Sequence, residues 1–149
     1  MPPITVVIAD HKKSGRAACL SVLQHEKGIR VVGEVGSGLE AMAAAAMLKP
    51  RILLFHLNLF KGKKIALLRA LRQKSPRTKV ILLTRRVFEK PILEALSHGA
   101  RGYLEERAMS TFLPKAVRMV EAGEAWVPRR MVAKIIDRLA RLSGREGRA

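Results

Sequence analysis

Cysteine, aromatic residues and long apolar runs are all scarce in this chain of 149 residues. The single cysteine, Cys19, excludes an internal disulfide, and its helical apolar surroundings predict a small core residue. No apolar run approaches the ~20 residues of a membrane span, since the longest, residues 41–48, is short and rich in alanine. Aromatic residues make up 4% of the chain, which argues against a surface that stacks nucleic-acid bases.

The overall composition nevertheless predicts a folded protein. A hydrophobic content of 48% excludes a disordered or fibrous chain and predicts one domain with its own core. The N-terminus leads directly into an apolar segment without a basic leader, so we expect neither a secretory signal nor a membrane partner. These features together predict a cytoplasmic protein.

Acidic residues are few, and their distribution leaves one region strongly basic. The net charge is +17, and residues 49–90 contain 13 basic residues against 1 acidic residue. So uneven a distribution predicts a polyanion or an acidic protein as partner. The alternative is a solvated basic face that keeps the protein in solution.

Segments with strand and helix patterns alternate along the chain. Apolar and β-branched runs predict five strands, at residues 4–9, 30–35, 52–55, 80–83 and 102–104. Helical spacing predicts a helix after each strand, at residues 12–26, 37–48, 63–73, 88–98 and 110–121. Five such units predict an α/β fold, with a doubly wound parallel sheet of five strands covered by helices on both faces.

A sixth helical segment, residues 128–142, follows these units. Its apolar residues are spaced three, four and three apart and have basic neighbours: Val132, Ile135, Leu139 and Leu142. This narrow stripe predicts a helix that packs on the domain or pairs with a second copy of itself.

Polar residues follow several of the predicted strands. In open parallel sheets, ligands bind beyond the carboxyl ends of the strands, so these residues define the candidate site. The candidate residues are Asp10, His11, His56, Thr84, Glu105 and Glu106.

This layout resembles the receiver domain of bacterial response regulators, in the subfamily that carries a LuxR/NarL-type DNA-binding domain. The resemblance covers about residues 4–125 and depends on the stretches VVIAD, RVVGEVGSGLEAM, KVILLT, LEALSHGARGYL and AVRMVEAGEAWVP. It implies a flavodoxin/CheY-like sheet of order 2-1-3-4-5, a receiver-like domain over residues 1–125, and a linker helix over residues 126–149. The tail LSGREGRA resembles the start of that subfamily's helix-turn-helix domain, which is then cut off or lost.

In this family, a receiver accepts a phosphoryl group on an aspartate that ends the third strand. Two acids after the first strand hold Mg²⁺, and a Thr or Ser and a Lys, after the fourth and fifth strands, contact the phosphoryl group. The resemblance assigns His56 to the acceptor position, Asp10 and His11 to the acid pair, Thr84 to the hydroxyl, and Glu106 (or Glu105, if the register slips by one) to the lysine.

Three of these five chemical positions are altered in this sequence. Mg²⁺ prefers hard oxygen ligands, and Glu106 would repel a phosphoryl group. The resemblance therefore implies an aspartate-less pseudo-receiver that works without phosphorylation and binds neither Mg²⁺ nor another cofactor. Thr84 and Tyr103 match the family's switch pair, which couples the site to the face of the fourth helix, fifth strand and fifth helix; a simply packed aromatic is the alternative for Tyr103.

Three interpretations of the altered pocket stay open. Asp10, His11 and His56 come from neighbouring strands and could hold a transition metal such as Zn²⁺, although their spacing is not diagnostic. His56 could instead carry a phosphoryl group. In the interpretation that we favour, His56 pairs with Asp10 or Glu106 and fills the pocket as a structural residue.

Beside this pocket, the sequence predicts one basic surface for nucleic-acid phosphates or for an acidic protein. Its candidate residues are Lys61, Lys63, Lys64, Arg69, Arg72, Arg85, Arg86 and Lys90, in a basic stretch that also includes Lys74, Arg77 and Lys79.

These features predict the receiver of an atypical response regulator that controls transcription. It would act as a homodimer, through the fourth-helix face, the first and fifth helices, or the last helix, and would reach DNA chiefly through a C-terminal domain. A stand-alone module that binds an acidic protein, or a receiver that itself contacts nucleic acid, is the alternative. We expect no enzyme, because no nucleophile–base pair, phosphate-cradling glycine loop or metal motif has a recognisable spacing.

Overall fold

Five parallel strands form the centre of the fold, in a computed structural model that describes residues 2–146. The strands are β1 (Ile4–Ala9), β2 (Ile29–Val35), β3 (Ile52–His56), β4 (Lys79–Thr84) and β5 (Gly102–Glu105). Their order in the sheet is β2-β1-β3-β4-β5, and every neighbouring pair is parallel. The predicted fold class and strand order are confirmed.

Six α-helices connect and follow the strands. They are α1 (Lys13–Leu23), α2 (Gly38–Leu48), α3 (Lys64–Lys74), α4 (Glu89–Ser97), α5 (Met109–Glu121) and α6 (Arg129–Glu146). Two 3-10 turns, Leu57–Phe60 and Glu106–Ala108, follow β3 and β5. Most bounds differ from the predicted ones by one or two residues; the larger differences are at the end of α1, which is three residues earlier, and of α6, which is four residues later.

Side chains alternate along the strands and supply two separate cores, one on each face of the sheet. Val7, Leu53 and Phe55 belong to the core under α2, α3 and α4. Ile8 and Leu54 belong to the core under α1 and α5. All five side chains are at most 1% exposed, as a parallel sheet with both faces covered requires. Cys19, on α1, is fully buried in the second core, as its sequence context predicted.

The segment after α5 packs directly on the sheet domain. The N–H of Tyr103 donates to the Trp126 carbonyl, and the N–H of Trp126 donates to the Arg101 carbonyl, both at 3.0 Å. Met131, in the first turns of α6, is 1% exposed and belongs to the same core cluster as Tyr103. The division of the chain at residue 125 stays a prediction, although residues 126–131 extend the packing of the domain.

Helix α6 lies against α4, and an ion pair joins Lys134 to Glu89. The predicted apolar stripe of α6 is divided between two environments. Ile135 and Leu142 are half-buried, whereas Val132 and Leu139 are 42% and 45% exposed. Packing on the domain, one of the two predicted arrangements, is thus observed for α6, with Met131 as its most buried residue; pairing with a second copy stays a prediction. The final three residues of LSGREGRA lie outside the described residues, and the others belong to α6.

Replacing Met131 by alanine tests whether α6 is part of the folded domain. We expect Met131→Ala to lower the free energy of unfolding by ~2–5 kcal/mol, because it leaves a cavity in a closed core. The matched control is Val132→Ala, one residue away on the 42% exposed side of the helix, where a loss of at most ~0.5 kcal/mol is expected. Urea unfolding of both variants gives the comparison, and equal losses would contradict the packing described for α6.

Candidate functional site

A cleft of about 450 Å³ opens at the carboxyl ends of β1, β3 and β4. The fold brings the candidate residues there because these parallel strands all end at the same edge of the sheet. The polar side chains and the glycine that line the cleft are Asp10, Lys12, Ser14, Gly15, His56, Arg85 and Glu106.

Three ionisable side chains meet in this cleft. Nitrogen or oxygen atoms of Asp10, His56 and Glu106 all lie within 4.8 Å of one another. Asp10 and His56 are 5% and 6% exposed, whereas Glu106 is half-buried at the rim. The Nε2 atom of His56 lies 3.2 Å from Oε1 of Glu106. The histidine therefore bridges the ends of β3 and β5 and passes over the end of β4.

The backbone around β3 determines which nitrogen of His56 carries the proton. His56 is the residue immediately before the 3-10 turn, and its Nδ1 accepts the N–H of Asn58 at 3.2 Å. A nitrogen that accepts this hydrogen bond has no proton of its own, so the neutral ring carries its proton on Nε2. That N–H donates to Glu106, and both ring nitrogens are thereby satisfied.

Asp10 is held in place by contacts with the start of α1. Its Oδ1 accepts the N–H of Lys12 at 2.9 Å, and its carbonyl accepts Nη1 of Arg16 at 2.7 Å. The carboxylate also lies against the backbone of Gly15, where an added Cβ would be 2.0 Å from Oδ2. Only glycine at position 15 leaves room for this placement.

His11 does not join the cluster. Its side chain is exposed, and it is absent from the residues that line the cleft. The three residues of the metal-site alternative are therefore not brought together: the chain turns away from the cleft after Asp10, and Glu106 takes the place of His11 in the cluster. Glu105 pairs with Arg107 at 3.0 Å and lies outside the cluster, so Glu106 is the acid that enters the cleft.

The present hydrogen bonds of His56 disfavour a metal ion or a phosphoryl group at its Nε2 atom. Mg²⁺ requires near-octahedral oxygen ligands, and the described cluster supplies one imidazole and two carboxylates. A transition metal at Nε2 of His56 would displace its proton to Nδ1, where it would face the N–H of Asn58. The same conflict applies to a nucleophilic Nε2, which needs a free lone pair. As arranged, both ring nitrogens of His56 take part in hydrogen bonds.

The predicted switch pair consists of two buried side chains. Thr84 is 2% exposed, and its hydroxyl donates to the carbonyl of Arg86 in the loop that follows β4. Tyr103 is 6% exposed and lies in the core cluster that includes Met131. Burial raises the pKa of Tyr103 and the positive charge of Arg130 opposes that rise, so the beginning of α6 is electrostatically coupled to the ring.

A thiol lies behind the cleft and responds to its negative charges. Burial, with a smaller contribution from the carboxylates of Asp10 and Glu106, raises the pKa of Cys19 to about 12. Its Sγ is 3.7 Å from Sδ of Met109, which lines the cleft. Cys19 is therefore a protonated packing residue at neutral pH and not a nucleophile.

The predicted basic surface is divided between two edges of the sheet. Five of its residues are exposed around the carboxyl edge: Lys61, Lys63, Arg85, Arg86 and Lys90. Lys64 is at the same edge, where its Nζ pairs with Glu94 at 3.0 Å. This hydrogen bond lowers the pKa of Glu94.

Arg69 and Arg72 do not belong to that surface. Helix α3 runs antiparallel to the strands, and its 11 residues span ~16 Å. Arg72 therefore lies at the amino-terminal edge, beside His98 and Gly99, and Arg69 lies between the two edges. The prediction of a single basic surface beside the cleft was wrong, because α3 runs away from the cleft and places its later residues near the opposite edge of the sheet.

Comparison with known proteins defines the class of this chain. The family model described as the response regulator receiver domain matches residues 6–118. The chain therefore belongs to the response regulator receiver family. It is 29% identical over 136 residues to the DNA-binding transcriptional activator DevR/DosR of Mycobacterium tuberculosis, which covers 91% of this chain and 63% of that protein.

Other relatives agree with this classification. The response regulator protein VraR of Staphylococcus aureus is 29% identical over 136 residues, which cover 91% of this chain and 65% of VraR. The chain thus spans somewhat less than two thirds of these two relatives. In fold, it is similar to the receiver domain of NarL from Mycobacterium tuberculosis, with a TM-score of 0.76 and 23% identity over 83% of this chain and 100% of that domain.

The isolated receiver domain of RcsB from Salmonella enterica is similar to the same degree. Its TM-score is 0.76 at 23% identity, over 90% of this chain and 98% of that domain. Among residues 2–146, no helix combines the length and the apolar character that crossing a membrane would demand.

Sequence reasoning missed three contributors to the cleft: Lys12, Gly15 and the backbone N–H of Asn58. Lys12 and Gly15 follow Asp10 closely in the sequence. The glycine five positions after Asp10, at the start of a predicted helix, could have indicated that the helix lies close to the aspartate side chain. The role of Asn58 depends on the 3-10 turn after β3, which the apolar pattern of Leu57, Leu59 and Phe60 does not indicate.

Replacing Gly15 by alanine tests the placement of Asp10. Alanine normally stabilises a helix interior by ~1 kcal/mol relative to glycine, but here its Cβ would collide with the Asp10 carboxylate. We expect Gly15→Ala to be destabilising instead. The matched control is Gly144→Ala in α6, where an added Cβ meets open space and a stabilising change is expected. A thermal unfolding comparison in which both variants gain stability would show that Asp10 is not held against α1.

Proposed function

We propose that this chain is the receiver part of an atypical response regulator that controls transcription without aspartyl phosphorylation. The observation that carries the proposal is the hydrogen bond from Nε2 of His56 to Glu106, at 3.2 Å, in the place where the family's chemistry occurs. It occupies the acceptor position of β3 and the lysine position after β5 at once. The protein would be cytoplasmic, without enzymatic activity, bound metal or membrane partner.

Electrostatics supports this proposal. A phosphoryl group carries negative charge, and the cleft already contains the carboxylates of Asp10 and Glu106. The imidazole contributes no charge in the tautomer that its neighbours impose. Lys12 and Arg85 line the cleft as exposed cations and do not replace the missing lysine beside the acceptor.

Control of transcription is inferred from the relatives and from α6. DevR/DosR is named as a DNA-binding transcriptional activator, and this chain spans 63% of its length. We propose that DNA is reached chiefly through a domain that follows α6 in the whole protein. The exposed cations around the cleft favour a second candidate, a stand-alone module in which Lys61, Lys63 and Arg86 bind an acidic protein or nucleic-acid phosphates.

We further propose that the protein acts as a homodimer through α6. Three apolar side chains lie exposed on one side of this helix: Val132 at 42%, Ile136 at 59% and Leu139 at 45%. The face of α4 is covered by α6, so a dimer through α4, β5 and α5 would first require α6 to leave. The exposed stripe of α6 needs no such change.

Treatment with acetyl phosphate and Mg²⁺, followed by intact-mass measurement, tests the loss of phosphorylation. We expect no phosphoryl adduct on the natural chain and none on His56→Asp, because His11 and Glu106 still differ from the family pattern. The variant with His11→Asp, His56→Asp and Glu106→Lys has the family's residue types at all three altered positions, and we expect it to gain an acid-stable, base-labile adduct.

The stability of the single variant His56→Asp gives a second test of the pocket. His56→Asp should also be destabilised, since it places a third carboxylate beside Asp10 and Glu106, and adding Glu106→Lys should recover most of that loss. An adduct on the natural chain, or on His56→Asp alone, would overturn the proposal.

Sedimentation velocity at increasing protein concentration tests the dimer. We expect reversible dimerisation of the natural chain, and at least a ~10-fold weaker association for Ile136→Glu, which places a charge in the apolar stripe. Lys134→Glu is unsuitable as a control because Lys134 pairs with Glu89; Ala133→Glu, at an exposed position one turn back, is the better one. Equal association of the natural chain and Ile136→Glu would place the dimer contact elsewhere.

A further inference from the structure

A second cleft, of about 550 Å³, lies at the amino-terminal edge of the sheet, opposite the His56 site. It is bordered by the starts of β3, β4 and β5, the end of α3 and the end of α5. Its walls contain five Lys or Arg side chains and one acid: Arg51, Arg72, Arg77, Lys79, Arg101 and Glu121. Leu68, Leu71, Pro76 and Val80 supply an apolar lining.

The cations come from separate parts of the chain. Arg51 precedes β3, Lys79 begins β4 and Arg101 precedes β5, so each of three neighbouring strands starts at a cation. Backbone hydrogen bonds align them, from Lys79 N–H to the Arg51 carbonyl at 3.0 Å and from Arg101 N–H to the Val80 carbonyl at 2.8 Å. The fold therefore brings together cations that are far apart in the sequence.

Two of the five cations already have partners in the fold. Arg51 pairs with the carboxylate of Glu121 at 3.0 Å, and Nζ of Lys79 donates to the Glu121 carbonyl at 3.4 Å, at the end of α5. Among the side chains that the structure describes, no carboxylate lies within 4 Å of the guanidinium groups of Arg72, Arg77 and Arg101. Three guanidinium groups therefore face one cleft with no compensating acid.

Ordered backbone surrounds two of these exposed arginines. Arg77 lies in the turn between α3 and β4, where the hydroxyls of Ser75 and Thr78 are 2.6 Å apart and Thr78 donates to the Pro50 carbonyl at 2.6 Å. Arg72 lies over Gly99, since a Cβ at that glycine would be 3.0 Å from Nη2 of Arg72. Both guanidinium groups are therefore accessible to a ligand in the cleft.

We propose that this cleft binds a small polyphosphate anion, through the guanidinium groups of Arg72, Arg77 and Arg101. Guanidinium groups recognise phosphate by paired, charge-assisted hydrogen bonds. The volume is within the ~300–1,000 Å³ typical of small-molecule sites. Duplex DNA presents its phosphates on a convex ridge, and specific DNA interfaces bury ~1,000–2,500 Å² of protein surface, which one concave cleft of this size does not supply.

Isothermal titration of the full chain with tripolyphosphate, at an ionic strength near the physiological value, tests this site. We expect one-to-one binding that Arg77→Gln/Arg101→Gln weakens at least ~10-fold, because it removes two charge-assisted contacts. The control, Lys13→Gln/Lys115→Gln, removes the same charge at exposed positions outside both clefts and should change the affinity less than ~2-fold by long-range electrostatics alone. Arg77→Gln by itself, in an exposed turn, serves if the double variant does not fold.

The location of binding is checked independently on the natural chain. Tripolyphosphate should shift the backbone amide NMR signals of Arg77, Gly99 and Arg101 more than those of Lys12 and Asn58. Equal weakening by Arg77→Gln/Arg101→Gln and Lys13→Gln/Lys115→Gln would show only a net-charge effect. Weakening chiefly by a third variant, Arg85→Gln/Arg86→Gln, would place the anion at the His56 edge. Absence of tripolyphosphate binding, with duplex DNA binding that Arg77→Gln/Arg101→Gln abolishes, would make nucleic acid the ligand. Each of these three results overturns the proposal.

Discussion

The N–H of Asn58 imposes the chemistry of the candidate site, because it occupies Nδ1 of His56 and so places the ring proton on Nε2. That proton is donated to Glu106, and the contact connects the ends of β3 and β5. Receiver chemistry needs a negatively charged nucleophile on β3 and a cation after β5. Here His56, a neutral hydrogen-bond donor, ends β3, and Glu106, an acceptor, follows β5. The charged groups are therefore exchanged relative to that pattern, although the two strands are still in direct contact.

Much of the fold was predictable because its signals are local and repeated. Apolar runs such as residues 52–55 and helices closed by Gly99 or opened by Ser37 define five βα units, and a parallel sheet follows from their alternation. The identity of the altered site residues was also readable, since His56 and Glu106 directly follow strands. The sequence indicated Asp10 or Glu106 as the partner of His56, and the structure shows the hydrogen bond with Glu106.

The features that could not be predicted depend on three-dimensional direction. His11 and Asp10 are neighbours in sequence, yet one side chain is exposed and the other is 5% exposed. The basic residues of α3 are continuous in sequence with Lys61 and Lys63, yet the helix carries Arg72 to the other edge of the sheet. In α6, heptad-like spacing selected Val132 and Leu139, while burial begins at Met131. Periodicity defines a helix face but not its orientation toward the neighbouring helix.

Helix α6 has a geometric consequence for whatever the chain carries beyond it. Its 18 residues extend over ~27 Å, and Met131 anchors its first turns in the same core as Tyr103. Further contacts along the helix, from Lys134 to Glu89 and through the half-buried Ile135 and Leu142, make it move with the domain as a rigid element. A small change in the angle of its first turns against the sheet would therefore move the far end of the helix by several ångströms. If a domain follows α6, as proposed above, its orientation would be set by the packing of this helix.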